Sequence, residues 1–307
     1  MMKKVFIDGS AGTTGLQIYD RLVARNDIEL ITLAEDVRKD PEHRKQALNS
    51  ADIAFLCLPD DAAREAVAML ENPDTVILDT STAHRTENGW CYGFPELYEN
   101  GKEKIASVKR IAVPGCHACG FIALVRPLVQ SGLIDADTAL SCTSLTGYSG
   151  GGKKMIADYQ SPDALLKAPR QYGVAQTHKH LKEMIAITGL TQAPIFHPIV
   201  GDFYSGMEVS VGLFAKDLHG TVADIKKLYA ELYNTDIVHF EENCDENGFL
   251  SAAALSGKDS MEISVWGNEE RIFLCARYDN LGKGASGAAV ECMNLVLGID
   301  PKEGLKI

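Results

Sequence analysis

The chain has 307 residues, 46% of them hydrophobic and 23% charged, which is enough for a large buried core divided over two domains. Its formal net charge of −12 argues against a nucleic-acid-binding protein, but not against an anionic substrate, which needs only local positive groups. No apolar run approaches the roughly 20 residues that span a bilayer. The first lysines are followed by glycines rather than by the apolar stretch of a signal peptide. We therefore expect a cytoplasmic protein without a membrane partner, whose cysteines are mostly thiols.

The first third of the chain predicts strands that alternate with helices. Short apolar runs are expected to form five buried strands, at 3–9, 28–34, 51–59, 74–81 and 109–115. Helical spacing follows the first run, and residues 60–72 predict a second helix that is capped by its aspartates. This alternation implies a doubly wound parallel sheet.

After Gly120 the pattern changes to strands with few helices between them. Residues 139–155 predict a strand that enters a glycine-rich loop, and a helix is expected at 221–235. Further strands are expected at 206–214, 236–240, 260–268 and 271–280. The fold class is therefore α/β. A Rossmann-type NADP-binding domain is predicted from 1–115 and 284–307, with a C-terminal helix that returns to it. An α+β catalytic and oligomerisation domain with a mixed sheet is predicted from 116–283.

Gly9, Gly12 and Gly15 lie between the first strand and the first helix. Glycines at this position let main-chain N–H groups approach a pyrophosphate, although a tight turn without a ligand has the same pattern. Glu35 follows the second strand, where an acid would bind a ribose hydroxyl of NAD. Arg38 and Lys39 come just behind it and could hold the 2′-phosphate of NADP. The residues alone leave this choice open.

Cys116 follows Pro114-Gly115 at a strand end and begins a predicted helix. A helix N-terminus favours the thiolate form, and nearby N–H groups could stabilise an oxyanion. Cys119 makes the spacing C-x-x-C, but there is no second ligand pair for zinc and no thioredoxin-like context for a redox pair. Two buried thiols are the simpler alternative, and Pro127 would bend or restart the helix.

Three other segments carry candidate groups. His178, His180 and Glu183 lie close together in sequence, and a histidine beside a thiolate is a candidate acid/base. The glycine-rich loop 147–155 could close over a nucleotide, with Lys153 near a phosphate. Arg85 follows the fourth strand, where ligands of parallel sheets bind, and is a candidate anion ligand.

Together these segments resemble the N-acetyl-gamma-glutamyl-phosphate reductase family in its shorter form, over nearly the whole chain. The motifs are "GSAGTTG" (9–15), "DTSTAHR" (79–85), "YGFPE" (92–96), "VPGC" (113–116), "TGYSGGGKK" (146–154), "YGVAQTHKHLKE" (172–183), "VGDFYSGM" (200–207) and "DNLGKGASGAAVECMN" (279–294). Each motif alone is modest, but their order and spacing are specific. The family is similar in fold to aspartate-semialdehyde dehydrogenase.

The resemblance implies a reaction in arginine synthesis. Cys116 would attack the acyl phosphate of N-acetyl-glutamyl 5-phosphate, and NADPH would reduce the resulting thioester to the semialdehyde. His178 aligns with the acid/base, while Tyr172 and Glu183 align with residues that orient the substrate or the histidine. Arg85 and Lys153 fall where the family holds phosphate and closes the nicotinamide pocket.

The expected cofactor is NADP, and no metal is expected. The residues expected to bind NADP are Gly9, Ser10, Ala11, Gly12, Thr13, Thr14, Gly15, Arg38, Ser81, Gly150, Asn280 and Lys283. The family also implies a homo-oligomer, a dimer or a tetramer. This sequence has Val113, His117 and Cys119 where the commoner form has Asn, Tyr and Thr, which leaves the role of His117 open.

Three alternatives remain at this point. A related acyl-phosphate reductase such as aspartate-semialdehyde dehydrogenase belongs to the same class, although "HKHLKE" argues against it. A non-catalytic NADP-sensing protein could keep the fold, although Cys116 and His178 argue against that. A zinc or redox protein built on Cys116 and Cys119 is the third.

Overall fold

The computed structural model describes residues 2–307. The chain divides into two compact units. The first holds the residues up to Pro95, Asn100–Gly115 and Ala285–Leu305, and the second holds Glu96–Glu99, Cys116–Gly284 and Lys306–Ile307. The roles predicted for the two domains, NADP binding for the first and catalysis with oligomerisation for the second, stay predictions.

Within the described residues, the strands are β1 Lys3–Asp8, β2 Ile28–Ile31, β3 Ile53–Leu56, β4 Val76–Asp79, β5 Cys91–Tyr92, β6 Arg110–Ala112, β7 Ser141–Gly147, β8 Arg170–Gln171, β9 Ile195–Gly201, β10 Met207–Phe214, β11 Val238–Phe240, β12 Met261–Gly267 and β13 Arg271–Tyr278. The α-helices are α1 Thr13–Leu22, α2 Pro41–Ser50, α3 Asp60–Ala68, α4 Gly101–Ser107, α5 Cys116–Gln130, α6 Gly152–Tyr159, α7 Leu181–Thr188, α8 Val222–Leu232 and α9 Gly287–Leu297. None of these helices is both long and apolar enough to cross a membrane.

The first unit contains a six-stranded sheet in the order β2-β1-β3-β4-β6-β5, in which every pairing is parallel. Successive side chains of a strand point to opposite faces. Val5 and Ile7 of β1 therefore pack into one apolar cluster with Ile18 of α1 and Met293 of α9. Phe6 packs into a second cluster with residues of α2 and α3. Burial on both faces explains the apolar runs that predicted these strands, and the predicted doubly wound sheet is confirmed.

The first unit differs from the predictions in several details, and neither the short strand β5 nor helix α4 was predicted. Helix α2 was not predicted, because only Ala47 and Leu48 of its ten residues are buried and the helical stripe is too short to detect. The aspartates of α3 do not cap it: the N-cap is Pro59, without a side-chain cap, and the Asp60 carboxylate accepts hydrogen bonds from Thr82 instead.

The second unit contains a seven-stranded mixed sheet in the order β11-β12-β13-β10-β7-β9-β8. The pairs β11–β12 and β7–β9 are parallel, and the remaining pairs are antiparallel. The mixed sheet is confirmed, but β9 was missed because Pro198 interrupts its apolar run. The predicted glycine-rich loop is also helical: a 3₁₀ turn at Tyr148–Gly151 leads directly into α6.

Helix α5 continues through Pro127 without a break. Proline has no N–H, so the carbonyl of Ala123, four residues earlier, loses its partner in the helix. The Tyr233 hydroxyl, just after α8, donates a hydrogen bond of 2.7 Å to that carbonyl. The hydroxyl of Tyr229 bonds the next carbonyl, that of Leu124. Helix α5 therefore stays intact, and its first residue is Cys116.

Candidate active site

The turn between β1 and α1 requires glycine at two positions for steric reasons. Gly9 has a φ of +87°, and a Cβ there would lie 2.3 Å from the carbonyl oxygen of Cys57. A Cβ on Gly15 would lie 2.4 Å from the oxygen of Gly9. Gly12 differs, because the nearest atom to its Cβ position is 3.4 Å away. The first and third glycines let the main chain pack closely, and the second leaves space.

That space belongs to a cavity of about 440 Å³ at the C-terminal end of β1. Gly9, Ser10, Ala11 and Gly12 line one part of it, and residues 30–33 line another. Helix α1 has no side-chain cap and no acidic residue in its first turn. Its N–H groups, which start at Thr13, Thr14 and Gly15, therefore present a positive end without a side-chain acceptor. The cavity fits the pyrophosphate and nucleoside of a dinucleotide.

Basic side chains line the same cavity. Arg38, Lys39 and Arg44 contribute to its wall, and Glu35 does not. The Arg44 guanidinium donates to the Asp8 carboxylate at 2.7 Å in a largely buried ion pair. Arg38 lies 3.2 Å from Glu35, whose side chain is 89% exposed. Asp8 is the acid in this wall and is paired with Arg44, so Arg38 and Lys39 are the basic groups there that could bind a phosphate.

The residues after β4 form a buried hydrogen-bonded cluster. The Ser81 hydroxyl donates to Asp79 Oδ2 at 2.7 Å, and the His84 Nδ1 lies 2.6 Å from the same oxygen. The Arg85 guanidinium donates to the main-chain oxygens of Val113 and Thr80, both at 2.9 Å. Arg85 therefore ties together the ends of β4 and β6, and the second of these leads into Pro114-Gly115-Cys116.

Cys116 begins the 15-residue helix α5, as predicted. The Tyr278 hydroxyl, at the end of β13, donates to the carbonyl oxygen of Cys116 at 2.5 Å and accepts from the N–H of Gly120 at 3.0 Å. It thus enters the first turn of the helix. A Cβ on Gly120 would lie 2.7 Å from this hydroxyl, so glycine is required there. The sequence carried no signal for Tyr278.

Gly284, in a short π-helical turn at Gly282–Ser286, lies close to Cys116. A Cβ on Gly284 would lie 3.2 Å from the Cβ of Cys116. Lys283 is 1% exposed, and its ammonium donates to both oxygens of Glu96 at 3.0 and 2.9 Å. The side chain that was predicted to bind cofactor is therefore held by a buried carboxylate. The missed partner, Glu96, lies in the motif "YGFPE".

Cys119 is buried and its thiol is hydrogen-bonded to the main chain. It is 0% exposed, its thiol donates to the carbonyl of Lys283, and burial raises its pKa well above the usual value for a thiol. No group of three metal-ligating side chains occurs within residues 2–307. These findings favour Cys119 as a buried neighbour over a zinc or redox role.

His178 precedes helix α7, whose N-cap is His180 and whose first turn holds Glu183. The backbone N–H of His180 donates to His178 Nδ1 at 3.2 Å. The neutral ring must then carry its proton on Nε2. Burial, and then the charge of Lys179, lowers the pKa of His178. His180 and Glu183 do share a face, with 4.0 Å between Nε2 and Oε1.

His117 lies beside this histidine pair, with its ring centroid 5.6 Å from that of His178. Its Nδ1 is 2.6 Å from the Ser144 hydroxyl, and its Nε2 is 2.5 Å from the Tyr172 hydroxyl. Both partners of His117 are distant in the chain, so the sequence carried no signal for its role. The structure brings Cys116, His117, Tyr172 and His178 into one unit.

The remaining predicted residues lie around the glycine-rich turn. Asn280 is 1% exposed, donates to the Ser149 hydroxyl and accepts from the N–H of Gly206, both at 3.0 Å. Gly150 packs beside this amide, since its Cβ position is 3.3 Å from Asn280 Nδ2. Lys153 is exposed in the first turn of α6.

Two family models match the chain. One is described as semialdehyde dehydrogenase, NAD binding domain, and covers residues 35–106; the other is semialdehyde dehydrogenase, dimerisation domain, and covers 116–280. N-acetyl-gamma-glutamyl-phosphate reductase of Brucella suis is 46% identical over 97% of this chain and 100% of that protein. The reductase 2 of Nostoc sp. is 43% identical over 98% and 99%. The chain belongs to the N-acetyl-gamma-glutamyl-phosphate reductase family.

Solved structures of other proteins share the fold of this chain. Aspartate semialdehyde dehydrogenase II of Vibrio cholerae, in complex with ASA, has a TM-score of 0.73 at 15% identity, over 97% of this chain and 99% of that one. The Candida albicans enzyme with NADP has a TM-score of 0.65 at 16% identity, over 97% and 99%. At these identities the likeness shows the fold alone.

Proposed function

We propose that this protein reduces N-acetyl-glutamyl 5-phosphate to N-acetyl-glutamate 5-semialdehyde and phosphate with NADPH, as a step of arginine biosynthesis. One observation carries the proposal. Cys116 begins helix α5 in a chain that is 43–46% identical to reductases of this name over nearly its full length, and His178, in the same compact unit, has its Nδ1 occupied. A thiolate nucleophile and a hydrogen-bond donor to the developing oxyanion are groups that acyl transfer to sulfur uses.

The described residues fit NADPH. The uncapped first turn of α1 and the main chain of Gly9–Gly12 would hold the pyrophosphate, and Arg38 with Lys39 would hold the 2′-phosphate. When bound, NADPH supplies the hydride that reduces the acyl group. We propose that Ser81 and Gly150 contribute main-chain surface to the cofactor site. Asn280 and Lys283 would support that site through Ser149 and Glu96 rather than through free side chains.

The first step belongs to Cys116. Its sulfur attacks the acyl carbon, the bond from that carbon to the phosphate oxygen breaks, and phosphate leaves with the electron pair. The chain then holds the acyl group as a thioester. After reduction, the carbon–sulfur bond breaks and returns its electrons to the thiolate, which releases the aldehyde. The one proton consumed overall ends on phosphate.

His178 has a single role in both halves of this reaction. Because its Nδ1 accepts the N–H of His180, its proton is on Nε2 and is available to the acyl oxygen as negative charge develops there. A lowered pKa keeps the ring neutral, so the ring donates a hydrogen bond without carrying a charge. Glu183 would act on this geometry through His180.

The substrate's phosphate needs cationic partners. We propose Arg85 and Lys153 for this role, as the family resemblance implied. The Arg85 guanidinium also binds two main-chain oxygens, so it would fix the segment that leads to Cys116 as well as attract an anion. Tyr172 would donate a hydrogen bond near the reacting carbon.

We further propose a homo-oligomer, dimer or tetramer, formed through the mixed sheet. The match to a dimerisation domain covers residues 116–280. Strands β9 and β10 expose large apolar side chains, with Ile195 59% and Phe214 58% exposed. A second copy of the chain would cover them. The eight cysteines are all free thiols, which fits a cytoplasmic enzyme.

An aspartate-semialdehyde dehydrogenase is the competing function. Structures with that name share the fold at 13–16% identity, whereas the relatives named N-acetyl-gamma-glutamyl-phosphate reductase reach 43–46%. A non-catalytic NADP sensor would have no need for the organised surroundings of Cys116.

The test runs the reaction backwards. The protein is mixed with N-acetyl-glutamate semialdehyde, NADP and phosphate, and reduced nicotinamide is followed by absorbance. We expect a signal that requires phosphate and is lost when sulfate replaces it. Aspartate semialdehyde is the matched comparison substrate and should react far more slowly. Well-folded protein that turns over aspartate semialdehyde faster, or neither substrate, would overturn the proposal.

A further inference from the structure

His117 is a buried histidine whose two ring nitrogens both have side-chain partners. It is 2% exposed, with Ser144 Oγ at 2.6 Å from Nδ1 and Tyr172 Oη at 2.5 Å from Nε2. Burial and, as a smaller cause, the charge of His178 lower the pKa of His117 to about 3, so the ring is neutral at physiological pH. A neutral ring has one donor and one acceptor nitrogen.

The surroundings of Ser144 decide which nitrogen carries the proton. Ser144 is 0% exposed, and His117 Nδ1 is the one side-chain partner that the described residues give its hydroxyl. If Nδ1 carried the proton, the serine hydroxyl would accept it and its own hydrogen would be buried without an acceptor, which is costly. The hydroxyl therefore donates to Nδ1, and the histidine proton lies on Nε2.

This assignment determines what Tyr172 can do. Nε2–H donates to the Tyr172 oxygen, so the tyrosine's own hydrogen is not used by His117. Burial and, as a smaller cause, the charge of Cys116 raise the pKa of the Tyr172 phenol, so the phenol keeps that hydrogen. A protonated phenol that accepts from one side can donate on the other.

We propose that His117 is a positioning residue that directs the phenolic hydrogen of Tyr172 toward the group reacting at Cys116. Ser144 sets the proton on the correct nitrogen, His117 fills the acceptor side of the phenol, and Tyr172 donates to the acyl oxygen. The proposal rests on the reductase activity proposed above. It gives a role to the residue that replaces the family's more common tyrosine.

The first test does not require any substrate. Protein with ¹⁵N-labelled histidine is examined by NMR at neutral pH, and the His117 ring signals are identified by their loss in His117→Asn. We expect the Nε2–H tautomer. The Nδ1–H tautomer, or a charged ring, would overturn the inference even if the reductase activity is confirmed.

The second test is a double-mutant cycle in the reverse reaction. Tyr172→Phe should lower kcat about 10- to 100-fold, the range for a hydrogen bond to a charged group. His117→Asn keeps an acceptor near Ser144 but cannot reach Tyr172, and should lower kcat about tenfold with KM unchanged. When Tyr172 is already phenylalanine, His117→Asn should lower kcat no further. His117→Gln, whose amide N–H lies near the Nε2 position, should recover most of the rate.

A merely structural role predicts different results. His117→Asn would then lower kcat by the same factor in both backgrounds, and His117→Gln would give no recovery; either result overturns the proposal. Ser141→Ala, an exposed serine on the same strand as Ser144, is the matched control and should leave kcat unchanged. If wild-type protein shows no phosphate-dependent reaction, the proposed function fails, and the tautomer experiment still decides the assignment of His117.

Discussion

The glycine-rich turn of the first unit offers main-chain atoms around a cavity, whereas the site of the second unit consists of side chains that bind one another. Gly9 and Gly15 are needed because no Cβ fits, and α1 begins there without a side-chain cap. Around Cys116, by contrast, Tyr278, His117 and Lys283 each have a specific side-chain or carbonyl partner. A main-chain site tolerates many side chains but no added volume. A side-chain network depends on individual polar atoms.

The largest effect should come from replacing Cys116, the proposed nucleophile. Cys116→Ser should lower kcat by about 10⁴-fold or more, because a hydroxyl at neutral pH attacks far more weakly than a thiolate. The reverse reaction measures it, with NADP binding followed separately by fluorescence. NADP should bind normally, which would separate the chemistry of the second unit from the cofactor site of the first.

Cys119→Ser is the matched control, one helical turn further along α5. Since Cys119 is buried and its thiol donates to a carbonyl, serine should keep most of the activity and lose at most some stability. A loss of activity comparable to that of Cys116→Ser would mean that the two cysteines act together, which contradicts a purely structural role for Cys119.

His178→Asn should be next, with a loss of about 10²- to 10⁴-fold in kcat. The asparagine oxygen can still accept the N–H of His180, but nothing replaces Nε2–H. Because burial lowers the pKa of His178, the ring stays neutral down to a pH below its usual value. Activity should therefore be flat near neutral pH and fall only in more acid solution, where protonation breaks the bond from His180.

The pH profile of kcat checks this second statement. His178→Asn should lose the acid limb along with the rate. An acid limb of kcat centred above the ordinary histidine pKa of about 6.5 would contradict the assignment of a neutral donor.

These differences also explain what the sequence could and could not predict. The buried strands are a local pattern and were confirmed. The glycine spacing is also local, and its role in cofactor binding stays a prediction. The partners of His117 lie 27 and 55 residues away, and Glu96 lies 187 residues from Lys283, so no local pattern connects them. Lys283 was predicted to bind the cofactor, but a sequence gives no means of knowing that a buried carboxylate holds its charge.

The glycine turn can be tested with two alanines. Gly9→Ala should lower the free energy of unfolding by about 2 kcal/mol or more, because of its positive φ and a clash with the carbonyl of Cys57. Gly12→Ala should leave stability within about 0.5 kcal/mol and instead weaken NADP binding about tenfold, because its Cβ enters the cavity. Chemical denaturation and NADP titration separate the two. Equal loss of stability in both would mean that Gly12 is structural.

Arg38→Ala sharpens the cofactor assignment. Losing a charge-assisted bond to the 2′-phosphate should raise the Kd for NADP about 10- to 100-fold and leave that for NAD unchanged. Glu35→Gln, which removes the exposed partner of Arg38, is the control and should change either Kd less than about threefold. If Arg38→Ala raises the Kd for NADP and for NAD equally, Arg38 does not bind the 2′-phosphate.

Tyr278→Phe should have the smallest effect, because the helix can repair the loss. Without the hydroxyl, the N–H of Gly120 can bond directly to the carbonyl of Cys116, as in an ordinary first turn. Stability should fall by about 1 kcal/mol, while the shift of Cys116 should lower kcat about 3- to 10-fold. Tyr233→Phe is the matched control, because its hydroxyl bonds the same helix at Ala123, opposite Pro127. That change should lower stability by a similar amount and leave kcat unaltered. If both variants lose stability and neither loses rate, the tyrosine in the first turn supports the helix and does not position the nucleophile.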